Sequence, residues 1–298
     1  MPDHAASSQA PIGLVTCPQL PDLDPDDRPL VDALATRGFR AEPVVWSNGH
    51  DPVRYRALVL RSCWDYHRHP DAFRAWLALI GRSDVPVLNP VPLLQWNLHK
   101  RYLFQLADRG IAIPRTALVR AGTGADLAAT LEAADLDHVV VKPAVSLSGH
   151  DTHLITRRDA SSRQRWFAHQ VQHRDMLIQE YLPAVESEGE TSFVFLGGRF
   201  SHAILKRAAA ADFRVHDEYG GSKERIVTDP ETVTRAHDVL RAADAIDAVY
   251  ARVDAIVTPR TFTVIELELI DPSCYLQLDA EAGIRFADAI VAALDRSA

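Results

Sequence analysis

Hydrophobic and polar residues alternate over the first third of the chain in a way that predicts short strands separated by amphipathic helices. Runs of β-branched and other apolar residues predict four strands, at residues 12–16, 41–46, 57–60 and 86–88. One helix is predicted after the acidic, proline-containing residues 24–27, and a second over residues 70–80, just before Gly81. Strands and helices that alternate at this spacing indicate a small parallel α/β domain.

The remaining two thirds of the chain contain both helical periodicity and the two-residue alternation of strands. Asn89-Pro90 is predicted to cap one helix that runs through Lys100 to Gly110. Further helices are predicted at residues 126–134, 161–172, 228–243 and 286–294. Further strands are predicted at residues 138–143, 176–180, 192–196, 200–205, 250–254 and 263–269. Gly197-Gly198 predicts a hairpin turn, and residues 220–223 predict a mobile loop.

Composition and charge narrow the class of protein. A hydrophobic content of 47% and a charged content of 24% in 298 residues indicate a soluble globular protein with two or three domains or subdomains. The net charge of −8 gives no electrostatic basis for nucleic-acid binding. No apolar run reaches membrane-spanning length, and residues 1–11 are predicted to be a disordered leader without signal-peptide features. Three widely spaced cysteines favour a reducing cytoplasm.

Two neighbouring strands near the C-terminus carry carboxylates in alternation with apolar residues. Period-two alternation places Glu266 and Glu268 on one face of the strand at 263–269. The strand at 250–254 adds Arg252 and Asp254. Burying like charges on one face is costly unless a hard cation such as Mg²⁺ takes them as oxygen ligands. The alternative is two half-exposed strands whose charges face water, and this stretch alone supports that alternative at least as well.

The sequence Arg-Ser-Cys-Trp-Asp-Tyr-His at residues 61–67 directly follows a predicted buried strand. Ligands of open α/β sheets lie beyond the carboxyl ends of the strands. This cluster could therefore hold a small zwitterion, with Arg61 binding a carboxylate and Asp65 an amine, beside Ser62 and Tyr66. The alternative is a capped loop with Trp64 packed inward, and the sequence favours neither.

Lysines end two further strands. Lys142 lies near the end of the strand at 138–143, and a loop with several serines and a glycine, residues 144–152, follows it. Backbone N–H groups and hydroxyls in such a loop can bind phosphate oxygens. A lysine on an exposed sheet face is the plain alternative. Lys206 and Arg207 form a cationic pair at the end of the strand at 200–205.

These elements, taken in order, resemble the ATP-grasp superfamily of ligases. The set consists of Lys100, Val-Lys-Pro at 141–143, the serine-containing loop, Gln-Glu-Tyr-Leu at 179–182, Lys206-Arg207, Arg-Val-Asp at 252–254 and Glu-Leu-Glu at 266–268 with Pro272. The resemblance covers residue 95 to the C-terminus. It implies an α/β (α+β) fold: a parallel N-terminal domain at 1–96, a central lid subdomain at 97–184 and an ATP- and Mg-binding subdomain at 185–298.

The resemblance also implies roles for individual residues. ATP would be bound at its phosphates by Lys100, Lys142, Ser146, Ser148 and Gly149, at its adenine by Gln179, Glu180, Tyr181 and Leu182, and at its ribose by Glu190. Asp254, Glu266 and Glu268 would hold the metal, usually two Mg²⁺ ions, with Mn²⁺ as the alternative. Arg252, Lys206 and Arg207 would face the transferring phosphoryl group. Two departures stand out: Glu268 replaces an asparagine common in the family, and the phosphate loop is poor in glycine.

Within the superfamily, two motifs resemble those of a small group of cyclo-ligases that form D-cycloserine from O-ureido-D-serine. They are Arg-Ser-x-Trp-Asp-Tyr at residues 61–66 and Glu-Leu-Glu-Leu-Ile at residues 266–270. This similarity implies a cytoplasmic enzyme that activates a small amino-acid-like substrate as an acyl phosphate, as a monomer or a homo-oligomer. One alternative is an intermolecular carboxylate–amine ligase of the glutathione synthetase or D-alanine–D-alanine ligase type. The other is a nucleotide-binding module without chemistry.

Overall fold

The computed structural model describes residues 10–49, 51–147, 149–209, 215 and 220–297. The helices are α1 Arg28–Thr36, α2 Pro70–Ile80, α3 Val91–Asn97, α4 Tyr102–Asp108, α5 Leu127–Ala133, α6 Ala160–His173, α7 Ala184–Ser187, α8 Pro230–Ala242 and α9 Ala282–Ser297. The first strands are β1 Ile12–Thr16, β2 Ala41–Val45, β3 Ala57–Ser62, β4 Val87–Leu88, β5 Thr116–Val119, β6 His138–Pro143, β7 His153–Thr156 and β8 Met176–Glu180. The last strands are β9 Glu190–Leu196, β10 Arg199–Arg207, β11 Ser222–Ile226, β12 Tyr250–Val257 and β13 Phe262–Glu268.

The N-terminal strands form a parallel sheet in the order β2-β1-β3-β4, which confirms the predicted parallel α/β arrangement. Strand β1 is buried along its whole length, as expected for a central strand covered on both faces. Helix α1 starts behind a 3-10 turn that Asp24 caps, because the Asp24 side chain accepts a hydrogen bond from the N–H of Asp26.

Two antiparallel sheets follow. The central sheet has the order β5-β8-β6-β7, and helices α5 and α6 bury their apolar faces in its core. The C-terminal sheet has the order β11-β10-β9-β12-β13. The prediction of a mobile loop at residues 220–223 is wrong for its second half. Ser222 and Lys223 begin strand β11, which pairs with β10 and thereby has its backbone groups hydrogen-bonded.

The predicted single helix from Asn89 to Gly110 is divided into α3 and α4, and the interruption lies at residues 98–101. At the break, the N–H of Lys100 donates to Ala144 O of the central sheet rather than to a carbonyl of its own helix. Beside the break, the Asn97 amide donates to Leu267 O and accepts from the N–H of Leu269. Tertiary hydrogen bonds therefore replace helical ones and set the position of Lys100.

Each sheet lies inside one of the three predicted segments, but the cores cross the predicted boundaries. Helix α4 belongs by sequence to the central segment, yet Tyr102, Leu103 and Leu106 pack in the core of the C-terminal sheet. The last helix, α9, packs with α1 and the N-terminal strands. Within the described ranges, no helix has both the length and the apolar character needed to cross a bilayer.

Candidate active site

A cavity lies between the central sheet and the C-terminal sheet. Its lining combines basic, acidic and apolar side chains, and most of the predicted nucleotide and metal residues contribute to it. These are Lys100, Lys142, Ser146, Gly149, Gln179, Glu180, Tyr181, Leu182, Glu190, Arg252, Asp254, Glu266 and Glu268. Ser148 lies outside the described residues. Thirteen positions predicted from scattered motifs are therefore brought to one site by the fold.

Lys100 connects the loop after β6 with strand β13. Its ammonium donates to Ser146 O at 2.6 Å and contacts Glu266 Oε1 at 2.9 Å. Both lysine and loop are further fixed by the backbone hydrogen bond from Lys100 N–H to Ala144 O. The lysine therefore holds the predicted phosphate loop against the carboxylate wall of the cavity.

Lys142 is buried in the same cavity and forms no hydrogen bond or ion pair with any described residue. Burial lowers the pKa of its ammonium, and the positive charge of Lys100 adds to that effect. The charges of Glu266 and Glu190 oppose this effect only in part, so a buried ammonium without a hydrogen-bonded anion is costly. An anionic ligand in the cavity would remove that cost.

The carboxylates of β12 and β13 form one wall of the cavity. Asp254 is paired in register with Glu266, and Arg252 with Glu268. A β-bulge shifts the register after Asp254, which lets Ile265 line the cavity together with Glu266. The apolar residues of β13, Val264 and Leu267, point the other way into the core. The predicted alternation of the strand at 263–269 is thus present, with one extra residue at the bulge.

Arg252 is the centre of this wall. Its guanidinium contacts Asp254 Oδ2 at 3.0 Å and also Glu268 Oε1, and it donates to Ser273 O at 3.0 Å. Although burial opposes ionisation, Arg252 and Lys206 hold the pKa of Asp254 below its usual value. Burial raises the pKa of Glu268 to about 7, against the opposing effect of Arg252. The wall is therefore an ion network rather than a bare acidic cluster.

Lys206 lies beside the wall, whereas Arg207 does not. The Lys206 ammonium is 2.5 Å from Glu190 Oε1 and 3.5 Å from Asp254 Oδ1, and both carboxylates line the cavity. Arg207 is exposed and donates to Ser187 O. Alternation along β10 turns consecutive side chains to opposite faces, so the prediction that both cations face the phosphoryl group is wrong for Arg207.

The segment Gln179–Leu182 forms the opposite end of the cavity. The N–H groups of Glu180 and Tyr181 already donate to Arg115 O and His138 O. The Glu180 carboxylate accepts both ends of the Arg115 guanidinium, at 2.9 and 3.1 Å. Among described partners, the N–H of Leu182 remains without an acceptor, so it is available to a ligand.

The oxygen ligands fit a divalent cation by chemistry, but they are paired with cations in this arrangement. Asp254, Glu266 and Glu268 offer carboxylate oxygens, which hard ions such as Mg²⁺ prefer. Each carboxylate is held by Arg252 or Lys100. No group of three metal-ligating side chains surrounds a common point in the described part of the chain. Phosphates that attract these cations would release the carboxylates for a metal.

The predicted substrate residues Arg61 and Ser62 have a different role from the expected one. Arg61 is buried, contacts Asp27 Oδ1 through Nε at 2.8 Å and donates to Pro272 O at 3.1 Å. Ser62 Oγ donates to Asp27 Oδ2 at 3.1 Å. The rings of Tyr250 and Phe286 lie within 5.5 Å of the Arg61 guanidinium carbon. These contacts consume both side chains inside the protein, so neither one lines the cavity.

Asp65 and Tyr66, the other two predicted substrate residues, differ from each other. Asp65 is buried and accepts a hydrogen bond from Trp46 Nε1 at 2.7 Å, so the predicted contact with a substrate amine is wrong for this residue. Tyr66 stacks on Phe73 and lines a small recess together with Lys100. Only Tyr66 of the four predicted residues therefore reaches the site.

The sequence prediction missed the apolar lining and one acidic residue. The apolar residues are Val140, Leu147, Val185, Val215, Ile256 and Ile265. Val140 and Ile256 lie two positions from Lys142 and Asp254 on their strands, so period two could have identified them. Asp271 lines the recess beside Tyr66, and it follows β13 by three residues. Its position after the strand, rather than in it, gave no periodic signal.

Comparison with known proteins agrees with this geometry. Residues 12–89 match the model of the N-terminal domain of D-cycloserine synthetase DcsG, and residues 99–294 match the RimK-like ATP-grasp domain. The cycloserine biosynthesis protein DcsG of Streptomyces lavendulae is 31% identical over 294 residues, which are 94% of this chain and 97% of that protein.

Solved structures show the same relationship. The crystal structure of D-cycloserine synthetase DcsG superposes with a TM-score of 0.85 at 29% identity, covering 95% of this chain and 99% of the other. D-alanine–D-alanine ligase from Bacillus anthracis complexed with ATP has a TM-score of 0.66 at 17% identity, covering 96% and 98%, and shares the fold. The predicted ATP-grasp fold and the predicted ligase class are confirmed. The chain belongs to the RimK-like ATP-grasp family and is an ATP-binding ligase.

Proposed function

We propose that this ATP-grasp ligase forms D-cycloserine from O-ureido-D-serine and converts ATP to ADP and phosphate. The observation that carries the proposal is one cavity with two buried lysines on one side and Arg252 with three carboxylates on the other. The relative that is 31% identical over 94% of the chain is named for cycloserine biosynthesis, which supports the choice of substrate. The reaction would take place in the cytoplasm, where the three buried free cysteines stay reduced.

ATP would occupy the length of the cavity. We place adenine against Gln179–Leu182, with the free N–H of Leu182 as a hydrogen-bond donor. The ribose hydroxyls would be near Glu190. The phosphates would lie between Lys100 and Lys142, because these two ammonium groups are the cations on the side of the phosphate loop. This orientation puts the γ-phosphoryl group next to Arg252.

The first step would be phosphoryl transfer to the substrate carboxylate. A carboxylate oxygen attacks the γ-phosphorus, the bond to ADP breaks, and an acyl phosphate forms. The lysines position the phosphates and neutralise their charge, which is the main contribution that proteins make to this reaction. Asp254, Glu266 and Glu268 would hold the divalent cations, which when bound neutralise charge on the transferring phosphoryl group.

The second step would be ring closure. The oxygen-bound nitrogen of the same molecule attacks the acyl carbon, and phosphate leaves with the electron pair of the acyl–oxygen bond. After ring closure, a water molecule attacks the carbamoyl carbon, the bond from that carbon to the ring nitrogen breaks, the nitrogen takes up a proton, and the carbamoyl group leaves as carbamic acid. Arg252 can stabilise the oxyanion of the tetrahedral intermediate because its guanidinium is fixed by Asp254 and Ser273 O.

The apolar residues of the cavity would exclude water from the acyl phosphate. Val215 is buried and lines the cavity, together with Ile256 and Ile265. Hydrolysis would waste the activated intermediate, so a dry site favours ring closure. Most of residues 208–219, which precede strand β11, lie outside the described residues.

The test is ADP release from Mg·ATP and O-ureido-D-serine without added amine, followed by mass analysis of the product. We expect one ADP per ring formed, and no ADP with O-ureido-L-serine or D-serine as control substrates. ADP release that requires a second amino acid would replace the proposal with intermolecular ligation. ATP binding without ADP release for any carboxylate would leave a nucleotide-binding module.

A further inference from the structure

A small recess opens beside the phosphate end of the cavity. Its lining includes Lys100, Glu266 and Glu268, which also line the main cavity, and Tyr66 and Asp271, which do not. Its volume of about 10 Å³ is enough for a single water-sized group. An ammonium group has that size. The recess is therefore a side pocket for one small polar group of a ligand whose remainder lies in the main cavity.

Three carboxylates line the recess, but only one lacks a cationic partner. Glu266 is paired with Lys100, and Glu268 with Arg252. Asp271 is 2% exposed, and its Oδ2 has no hydrogen-bond partner among the described residues. Burial raises the pKa of its carboxyl group well above the usual value, and the negative charge of Glu268 adds to this effect. A cation beside Asp271 would compensate both for the burial of its carboxyl group and for the negative charge of Glu268.

The N-terminal domain fixes Asp271 in this position. Trp64 Nε1 donates to the Asp271 backbone carbonyl at 3.1 Å, and Arg61 donates to the carbonyl of the next residue, Pro272. Arg252 donates to Ser273 O from the opposite side. The segment 271–273 is thereby held between both domains. It places the free carboxylate two residues from the point where Arg252 is anchored.

We propose that Asp271 binds the α-ammonium group of the amino-acid substrate. This assignment rests on the proposed function, because it needs a substrate whose carboxylate is activated near Arg252. The α-ammonium and carboxylate of an amino acid are attached to the same carbon, so one small ligand can reach both the recess and the phosphoryl group. Tyr66 covers the recess from the side of the N-terminal domain.

The pairing also has a chemical consequence. An α-amine that stays protonated beside Asp271 has no free electron pair and cannot attack the acyl phosphate. It therefore cannot attack the acyl phosphate of a second substrate molecule and compete with closure by the oxygen-bound nitrogen. Asp271 would thus contribute to affinity and would prevent coupling of two substrate molecules through the α-amine.

The test compares Asp271→Asn with the wild type on two substrates: O-ureido-D-serine and its analogue without the α-amine, 3-(ureidooxy)propanoic acid. A charge-assisted hydrogen bond of about 1.5–3 kcal/mol corresponds to a roughly 10- to 150-fold increase in KM for O-ureido-D-serine. We expect an unchanged KM for ATP. The analogue should be used equally well, or equally badly, by both proteins. Asp65→Asn is the matched control, since that buried aspartate accepts from Trp46 and an asparagine oxygen can do the same.

An unchanged KM for O-ureido-D-serine in Asp271→Asn, or an equal loss with the analogue, would overturn the assignment. If the variant does not fold, the wild type alone decides, because it must discriminate against the analogue by a similar factor. If the wild type releases ADP with another amino acid but not with O-ureido-D-serine, the proposed function is wrong. The same comparison of Asp271→Asn with the wild type is then made with that amino acid and with its analogue that lacks the α-amine. If no carboxylate supports ADP release, calorimetric titration with O-ureido-D-serine and a non-hydrolysable ATP analogue decides: binding lost in Asp271→Asn supports the site, and its absence from the wild type rejects it.

Discussion

Two buried arginines, Arg61 and Arg252, look alike in sequence but differ in structure. Each lies on a strand, each is at least nine-tenths buried, and each pairs with an aspartate. Arg61 has a single carboxylate partner, Asp27, and makes its other contacts inside the protein. Arg252 shares two carboxylates and faces an open cavity. Burial and ion pairing alone therefore do not identify a functional arginine. What distinguishes Arg252 is that it shares two carboxylates and faces an open cavity.

The two arginines nevertheless act on the same segment. Arg61 donates to Pro272 O, and Arg252 donates to Ser273 O. The first contact comes from the N-terminal sheet and the second from the C-terminal sheet. The motif that contains Arg61 and Trp64 thus stabilises the turn after β13, while the motif that contains Arg252 uses that turn as one side of the site. One arginine is structural and the other is the proposed catalytic group.

The largest effect is expected for the substitution Glu266→Gln. It removes one charge from the cavity wall, where Lys100 and the proposed metal depend on it. We expect ADP release to fall by about 10³-fold or more, equivalent to roughly 4 kcal/mol of transition-state stabilisation. We expect the unfolding midpoint in urea to change little, because the side chain faces the cavity. Parallel measurements of ADP release and urea unfolding test both statements.

Glu281→Gln is the control for that experiment. Glu281 is an exposed residue whose carboxylate pairs with Arg285 within one helical turn, so its loss should affect neither activity nor stability measurably. Normal ADP release by Glu266→Gln would remove the metal assignment and with it the functional side of the comparison. Loss of the folded state in Glu266→Gln would show that Glu266 is required for stability, and its role would then be structural.

The second effect is expected for the substitution Arg61→Met, which should have the opposite outcome. It leaves the Asp27 carboxylate buried without its cation, a change that costs about 3–5 kcal/mol of unfolding free energy in comparable cases. The turnover of each folded molecule should stay within a few fold of the wild type, since the residue does not line the cavity. Urea unfolding and turnover per folded molecule are the measurements.

The double variant Arg61→Met/Asp27→Leu serves as its control. Apolar replacement of both partners should recover most of the lost stability, because no unpaired charge remains. If Arg61→Met instead folds normally and loses turnover, Arg61 belongs to the site after all, as the sequence first suggested. The pair of variants therefore separates a structural ion pair from a functional one.

Periodicity and local order explain how much of this site the sequence could predict. Lys142, Glu266 and Glu268 lie on regular strands, where alternation fixes the face of each side chain. The same rule, applied to β10, separates Lys206 from Arg207, and the prediction failed there because it treated neighbours as a pair. The residues at 179–182 were predicted by family resemblance alone, and their contact with adenine stays a prediction.

Long-range contacts account for what the sequence could not show. The helix break that positions Lys100 depends on Ala144, which is 44 residues away by number in the chain. The ion-pair partner of Arg61 is Asp27, which lies 34 positions before it. No local pattern encodes either partner. Asp271 was missed for the same reason, because its neighbours Trp64 and Tyr66 come from another domain.

The third and smallest effect is expected at Asp271, which precedes the two residues whose carbonyl groups accept from Arg61 and Arg252. Burial raises the pKa of its carboxyl group, so the folded protein keeps a proton that the unfolded chain releases above about pH 4. The folded state then binds more protons, and stability falls as the pH rises, by at most about 1.4 kcal/mol per pH unit. Asp271→Asn, which cannot ionise, should lack this contribution. The unfolding free energy of the variant relative to the wild type, measured in urea near pH 5 and pH 6.5 without substrate, should therefore be larger at the higher pH. If the difference in unfolding free energy between variant and wild type does not depend on pH, a cation of the protein already neutralises Asp271. Asp271 would then be a paired carboxylate, as Asp27 is with Arg61.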